Sequence, residues 1–227
     1  MNHILTVPFA LDAAALAQKM KISASLLDEF QVLVVQAAAV ACPKVLWREA
    51  YVEALGDDTV TIDGVVFRSD AMRHNLDRIG RVFAYVATCG REVNELPIAK
   101  NDFVQGAWLH FIKLELLKVC LPALRAQINQ HFGMEQLSAM NPGSGDEDVW
   151  TIDQQVGLFS LFGDVEAQVG VRLTESYLMA PDVSVSGILF AADRAYQNCQ
   201  LCRREHCPNR SAPFDASLWA EVQAKRA

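Results

Sequence analysis

Residues 169–196 read VGVRLTESYLMAPDVSVSGILFAADRAY. In the first half, Val169, Val171 and Leu173 alternate with Gly170, Arg172 and Thr174. A period of two predicts a strand with one face buried. After the Pro181-Asp182 break, SVSGILFAA is a second, more apolar run, the pattern of a strand covered on both sides.

Upstream, TVTIDGVVFRS places Val60 and Ile62 before Asp63-Gly64 and Val65 and Phe67 after it, which predicts a tight hairpin with a type I′ turn. RVFAYVATCG reads as a buried strand ending at Cys89-Gly90. Between these lie helical stretches. One starts at Ser25 as N-cap and runs on as an Ala-rich stretch toward Leu55, interrupted at Pro43. A short one is capped by Ser69 and stopped by Gly80. The longest is capped by Asn101 or Asp102, kinked at Pro122 and ended by Gly133, and on it Glu115 pairs with Lys118. TIDQQVGLFSLFG is a further helix, and Asp215 caps a last one. The mixture has no regular β-α alternation. It predicts an α+β fold, a twisted and mainly antiparallel sheet with flanking helices.

Composition narrows the functional classes. The 227 residues are 52% hydrophobic with a formal net charge of −7, so no concentrated basic surface for nucleic acid is expected. The longest apolar run, Phe30–Cys42, is shorter than the roughly 18 residues of a membrane span and contains glutamines. The first residues lack a basic segment followed by an apolar one, so a cytoplasmic location is expected. Nucleotide-binding glycine loops, the nucleophile elbow and H-E-x-x-H are missing from the sequence. The acidic residues Asp146, Glu147 and Asp148 after Gly143 and Gly145 would repel a phosphate and read as a solvated loop face.

Residues 169–196 also carry a resemblance. Leu173-Thr174-Glu175-Ser176-Tyr177, Met179, Pro181, Ser184-Val185-Ser186-Gly187, Phe190 and Tyr196 resemble the activation domain of cobalamin-dependent methionine synthase, in a free-standing form. The resemblance implies a twisted α+β domain that binds S-adenosylmethionine. It also implies an accessory role in trans on a corrinoid-binding protein or methionine synthase subunit, in which cob(II)alamin on the partner is reduced and then methylated. The family's D-x-H-x-x-G for corrinoid binding is not in this chain. The cofactor-binding positions implied are Gly143, Ser144, Glu175, Ser176, Tyr177, Met179 and Tyr196. The family's R-x-x-x-G-Y falls on Ala139 to Ser144, so alanine stands where a guanidinium would pair with a carboxylate, and serine where an aromatic ring would lie. Gln197 stands where an aromatic usually follows Tyr196.

Cys199, Cys202 and Cys207 form C-x2-C-x4-C among Arg203, Arg204 and Arg210. The spacing suits thiolate ligation of an iron–sulfur cluster or zinc, with Cys89 or His206 as fourth ligand; three reduced surface cysteines is the alternative. Two parts are expected: an activation-domain-like unit over 1–198, and a Cys-rich segment over 199–227 packed on it. A scaffold that keeps the fold but has lost the S-adenosylmethionine pocket is the other functional reading.

Overall fold

The computed structural model describes residues 1–146, 149–192, 196–207 and 210–224. Its strands are β1 (His3–Thr6), β2 (Lys44–Leu55), β3 (Thr59–Ile62), β4 (Val65–Arg68), β5 (Arg81–Thr88), β6 (Leu137–Met140), β7 (Arg172–Leu173), β8 (Met179–Ala180) and β9 (Ser184–Ala191). Seven of them form one sheet in the order β4-β3-β2-β5-β9-β6, with β1 also beside β2, while β7 and β8 make a separate ribbon. Every pairing is antiparallel. The α+β expectation is met.

β2 organises the sheet. One edge pairs with β5 from Lys44 to Tyr51. Its other edge takes β1 at Lys44–Trp47 and β3 at Val52–Leu55, with a register shift between Val52 and Ala54. Local composition argues against this strand. WREAYVEAL has the Glu and Ala of a helix, and the expected helix ran through it. Pro43 does end α2 (Leu27–Val40), but the chain beyond it forms the longest strand described. Ser25 is not the cap of α2 either: it lies in a short 3-10 turn, and Leu26 occupies the cap position without a side-chain bond. α1 (Ala13–Met20) precedes it, capped by Asp12.

The two faces of the sheet follow from the pleat. Leu46, Ala50, Val82, Ala84, Val86, Ile188 and Phe190 point to one side. They meet Met72 of α3 (Asp70–Asn75) there. Val45, Trp47, Phe83, Tyr85, Ala87 and Leu189 point to the other and pack on Leu124 and Ile128. Those two belong to α5 (Cys120–Phe132), which follows α4 (Phe103–Lys118). The expected kink at Pro122 is instead a break at Val119, which leaves proline in the first turn of α5, where its missing N–H costs nothing. A third cluster joins Leu16, Phe30, Leu33 and Val34 to Trp108, Ile112 and Leu116, so α1, α2 and α4 form an outer layer.

The first side is completed by Leu158 and Phe159 of α6 (Gln155–Ser160), by Val165 and Val169 of α7 (Val165–Val169) and by Val222 of α8 (Ala216–Ala224). Residues 169–174 are therefore not one strand. Gly170, at φ +74, ends α7 in the left-handed conformation, and only Arg172–Leu173 is extended.

Several local expectations are met. Asp63 (φ 44) and Gly64 (φ 78) are both positive, as a type I′ turn requires. Ser69 accepts from the Met72 amide at 2.9 Å, Asp102 from Gln105 at 2.9 Å, and Asp215 from Ser217 and Leu218. Gly133 ends α5 at φ 67. Glu115 does pair with Lys118, at 2.5 Å, and also with Lys19 of α1, at 2.7 Å.

Candidate functional site

A cleft of about 430 Å³ opens between the turn 141–144, the start of α6 and the segment 178–186. Its wall begins at Asn141, just past β6. The Asn141 amide donates to Tyr85 Oη at 2.5 Å and to the Ser186 carbonyl at 2.7 Å, which ties the turn to β5 and β9. Burial pushes the Tyr85 phenol up to about 12, so it stays protonated. At Gly143 the backbone is left-handed, φ 71, its N–H donates to the Trp150 carbonyl at 2.8 Å, and an added Cβ would lie 2.5 Å from Ile152 Cδ1. Only glycine suits this position.

Opposite stands Gln155, 1% exposed. Its Oε1 accepts from Ser186 Oγ at 2.6 Å and its Nε2 donates to the Tyr177 carbonyl at 2.7 Å. One buried amide thus joins β9 to the tip of the β7–β8 hairpin. That tip is tightened by Thr174, whose carbonyl accepts from Tyr177 and whose hydroxyl accepts from Leu178, with Tyr177 itself at φ 61.

The charge at the cleft is Asp182. Its Oδ1 accepts from Lys113 Nζ at 2.7 Å, and His110 Nδ1 lies 3.4 Å from Oδ2. Lys113 is buried on α4, with a second bond to Asn94 at 2.8 Å. Burial works against the Asp182 carboxylate, but the Lys113 bond and the charges of Lys113 and His110 outweigh it and hold the group below its ordinary range. Such a depressed carboxylate contributes stability above about pH 4 and loses it as pH falls through its folded value. Asp182→Asn is therefore expected to flatten the stability profile below about pH 4. At pH 7 it should cost about 1–2 kcal/mol, limited because Asp182 itself is 61% exposed. Urea unfolding at several pH values checks this; an unchanged acid limb would contradict it.

The structure brings Gly143, Ser144 and Met179 together in the cleft lining. Glu175, Ser176 and Tyr177 lie at the exposed hairpin tip, outside that lining. Tyr196 is 6% exposed within the core, its amide donating to Ser138 Oγ at 2.8 Å. Ala139 packs with the α5 side of the sheet, whereas its neighbour Met140 faces the other. Asn141, Gln155 and Asp182 are not among the site positions the sequence singles out. A glutamine heading the otherwise apolar α6 was the one available signal. Of the loop acids, Glu147 and Asp148 lie outside the described residues, as do 193–195 of the stretch quoted first; Asp146 is an anchor, accepting from Arg203 N at 2.9 Å and Nε at 3.0 Å.

The four proposed metal-ligating cysteines are not gathered. Among the described residues, no group of three or more His, Cys, Asp and Glu side chains is placed to hold a metal ion. Cys89 is fully buried in the cluster that α2 and α4 form, and burial raises its thiol to about 11. Cys202 is buried elsewhere, its sulfur 3.6 Å from Asp146 Oδ1. Cys199 Sγ accepts from Ser211 N and Oγ at 3.5 and 3.4 Å. Its burial disfavours the thiolate, but the Ser211 hydroxyl and amide, the Ala212 amide and the Arg210 charge together lower its pKa. The surroundings of Cys89, Cys199 and Cys202 do not form one site for an iron–sulfur cluster or zinc.

An α+β domain with an antiparallel sheet and a cleft built from its C-terminal third is the architecture in hand, and comparison with known proteins gives it a family context. Residues 128–209 match the family described as vitamin B12 dependent methionine synthase, activation domain. Both walls of the cleft fall within that segment, and the resemblance read from residues 169–196 is borne out there. Among solved structures, the fold is similar to the MetH reactivation domain bound to AdoHcy, with a TM-score of 0.55 and 14% identity over 87% of this chain and 80% of that one. A search of curated proteins gives no match. Among the described residues no helix is long and apolar enough to cross a membrane.

Proposed function

We propose that the chain is a reactivation-type accessory module that acts in trans on a corrinoid-binding protein, and that its cleft holds an S-adenosyl compound. What carries this reading is the position of the cleft. Its two walls, 141–144 and 178–186, both lie in the segment that matches the activation-domain family, and a solved domain of similar fold has AdoHcy bound. The lining suits such a ligand in part. Ile152, Leu178 and Met179 offer apolar surface for a flat base, Ser144 in the 141–144 turn offers a hydroxyl, and Asp182 offers a partner for an ammonium. A carboxylate would find no guanidinium at position 139. Glu175, Ser176 and Tyr177, at the exposed tip beside the cleft, are the side chains we assign to the corrinoid partner rather than to the small ligand. The bound adenosyl compound would supply a methyl group; the chain's own task is to bind and orient. Asn198, Cys202 and Arg203 are the residues that steady the cleft turn.

Two measurements on the full chain test this. Calorimetric titration with S-adenosylhomocysteine is expected to show saturable binding that Gly143→Val abolishes. Adding the chain to a cob(II)alamin-loaded corrinoid protein with a reductant and S-adenosylmethionine is expected to speed the spectral change to methylcobalamin. No binding and no change in rate would refute the proposal. Binding to the corrinoid protein without either effect would support a scaffold that has lost the pocket, a reading favoured by Ala139 facing α5.

A further inference from the structure

The 3-10 turn Asn198–Leu201 is tied to the cleft as well as to the core. Asn198 Nδ2 donates to the carbonyls of Asn141 (3.1 Å) and Ser144 (3.0 Å), the two ends of the cleft turn. The Cys202 thiol donates to Asp146 Oδ1 at 3.6 Å, and Arg203 holds the other oxygen. The wall of the cleft at 141–146 is therefore moored to residues 198–203. Arg210 clamps that mooring: its guanidinium donates to the carbonyls of Cys199, Cys202, Ala212 and Arg204.

Within the mooring, the Cys202 amide donates to the Cys199 carbonyl at 3.2 Å. A turn closed in this way brings its end Cα atoms within about 7 Å, the outer limit at which a disulfide can form. Cys199 is partly exposed and Cys202 is buried beside it in sequence and space. The two sulfurs now face different partners, Ser211 and Asp146.

We propose that Cys199 and Cys202 are a thiol–disulfide pair whose oxidation loosens the 141–146 wall of the cleft. The oxidant is a low-molecular-weight disulfide, RSSR. The Cys199 thiolate attacks one of its sulfurs, forms a mixed disulfide and expels RS⁻. Cys202, deprotonated to solvent, then attacks the Cys199 sulfur and expels the second RS⁻. Two protein thiols lose two electrons, and RSSR becomes two RSH once the released protons are taken up. Closing the bond turns the Cys202 sulfur away from Asp146, and the wall loses one of its ties. Accessible Cys199 is the attacking thiol and buried Cys202 the resolving one.

The full chain, equilibrated in glutathione buffers of graded ratio and then alkylated, tests this by peptide mass mapping and by hydrogen exchange at 141–146. The expected result is a Cys199–Cys202 link in oxidising buffer, with exchange at 141–146 at least severalfold faster than in the reduced chain. Cys202→Ser should stop at a glutathione adduct on Cys199, Cys199→Ser should take up no adduct at Cys202, and Cys207→Ser should behave as the parent. A link through Cys207 instead, a 199–202 link with unchanged exchange, or thiols that stay inert because stoichiometric zinc or iron accompanies the purified chain would each overturn it. None of these readings requires the cleft to bind an adenosyl compound.

Discussion

Gly187→Val is expected to lower the unfolding free energy by about 3 kcal/mol or more. Gly187 lies in the middle of β9, opposite Tyr85 of β5. A Cβ there would sit 2.2 Å from the Met140 carbonyl oxygen, 2.6 Å from Asn141 Nδ2 and 3.0 Å from Tyr85 Oη. The nearest atom is backbone in a paired strand, so it cannot swing aside as a side chain would. Relief must come from parting β6 from β9 or breaking the Asn141 bonds, and the second route opens the cleft wall. Even Gly187→Ala should cost a large part of this. Denaturant midpoints check it, with near-normal stability of the alanine variant as the contrary outcome.

Trp150→Ala should cost about 3–5 kcal/mol. The indole is 1% exposed and meets Phe67 edge to face at 5.7 Å, so truncation leaves a cavity at the junction of the β3–β4 hairpin and the cleft turn. Trp150→Phe should cost far less, under about 1.5 kcal/mol, because Nε1 has no acceptor among the described residues and its removal abandons no hydrogen bond. Equal losses in both variants would show that packing at this junction is not what holds the turn.

Local chemistry was legible in the sequence at several positions where one side chain or one dihedral decides the structure, though Ser25 does not cap α2 and α3 ends at Asn75, short of Gly80. The turn at Asp63-Gly64, the caps at Ser69, Asp102 and Asp215, and the stop at Gly133 belong to this class. What was not legible depends on tertiary surroundings. Lys44–Leu55 has helix-forming residues yet is a strand, because β1, β3 and β5 supply its ladder. β6 is four residues long and too short to show a period. In the site, Gly143 and Met179 could be named from the resemblance, but Gln155 and Asp182 act through partners 22 to 69 residues away, which no local pattern reveals. The cysteine spacing invited a metal, but among the described residues no group of three or more His, Cys, Asp and Glu side chains is placed to hold one.

The pairing of β5 with β9 has a consequence for the ribosome. Thr88 and Ser184 meet across 96 residues of chain, and β6 likewise has no ladder until β9 arrives. At translation speeds of roughly 5–20 residues per second, the nascent protein waits about 5 to 20 s with the edge of its most apolar strand open. Such an edge is a template for strangers. Until β9 is made, that edge is open to pairing with other chains.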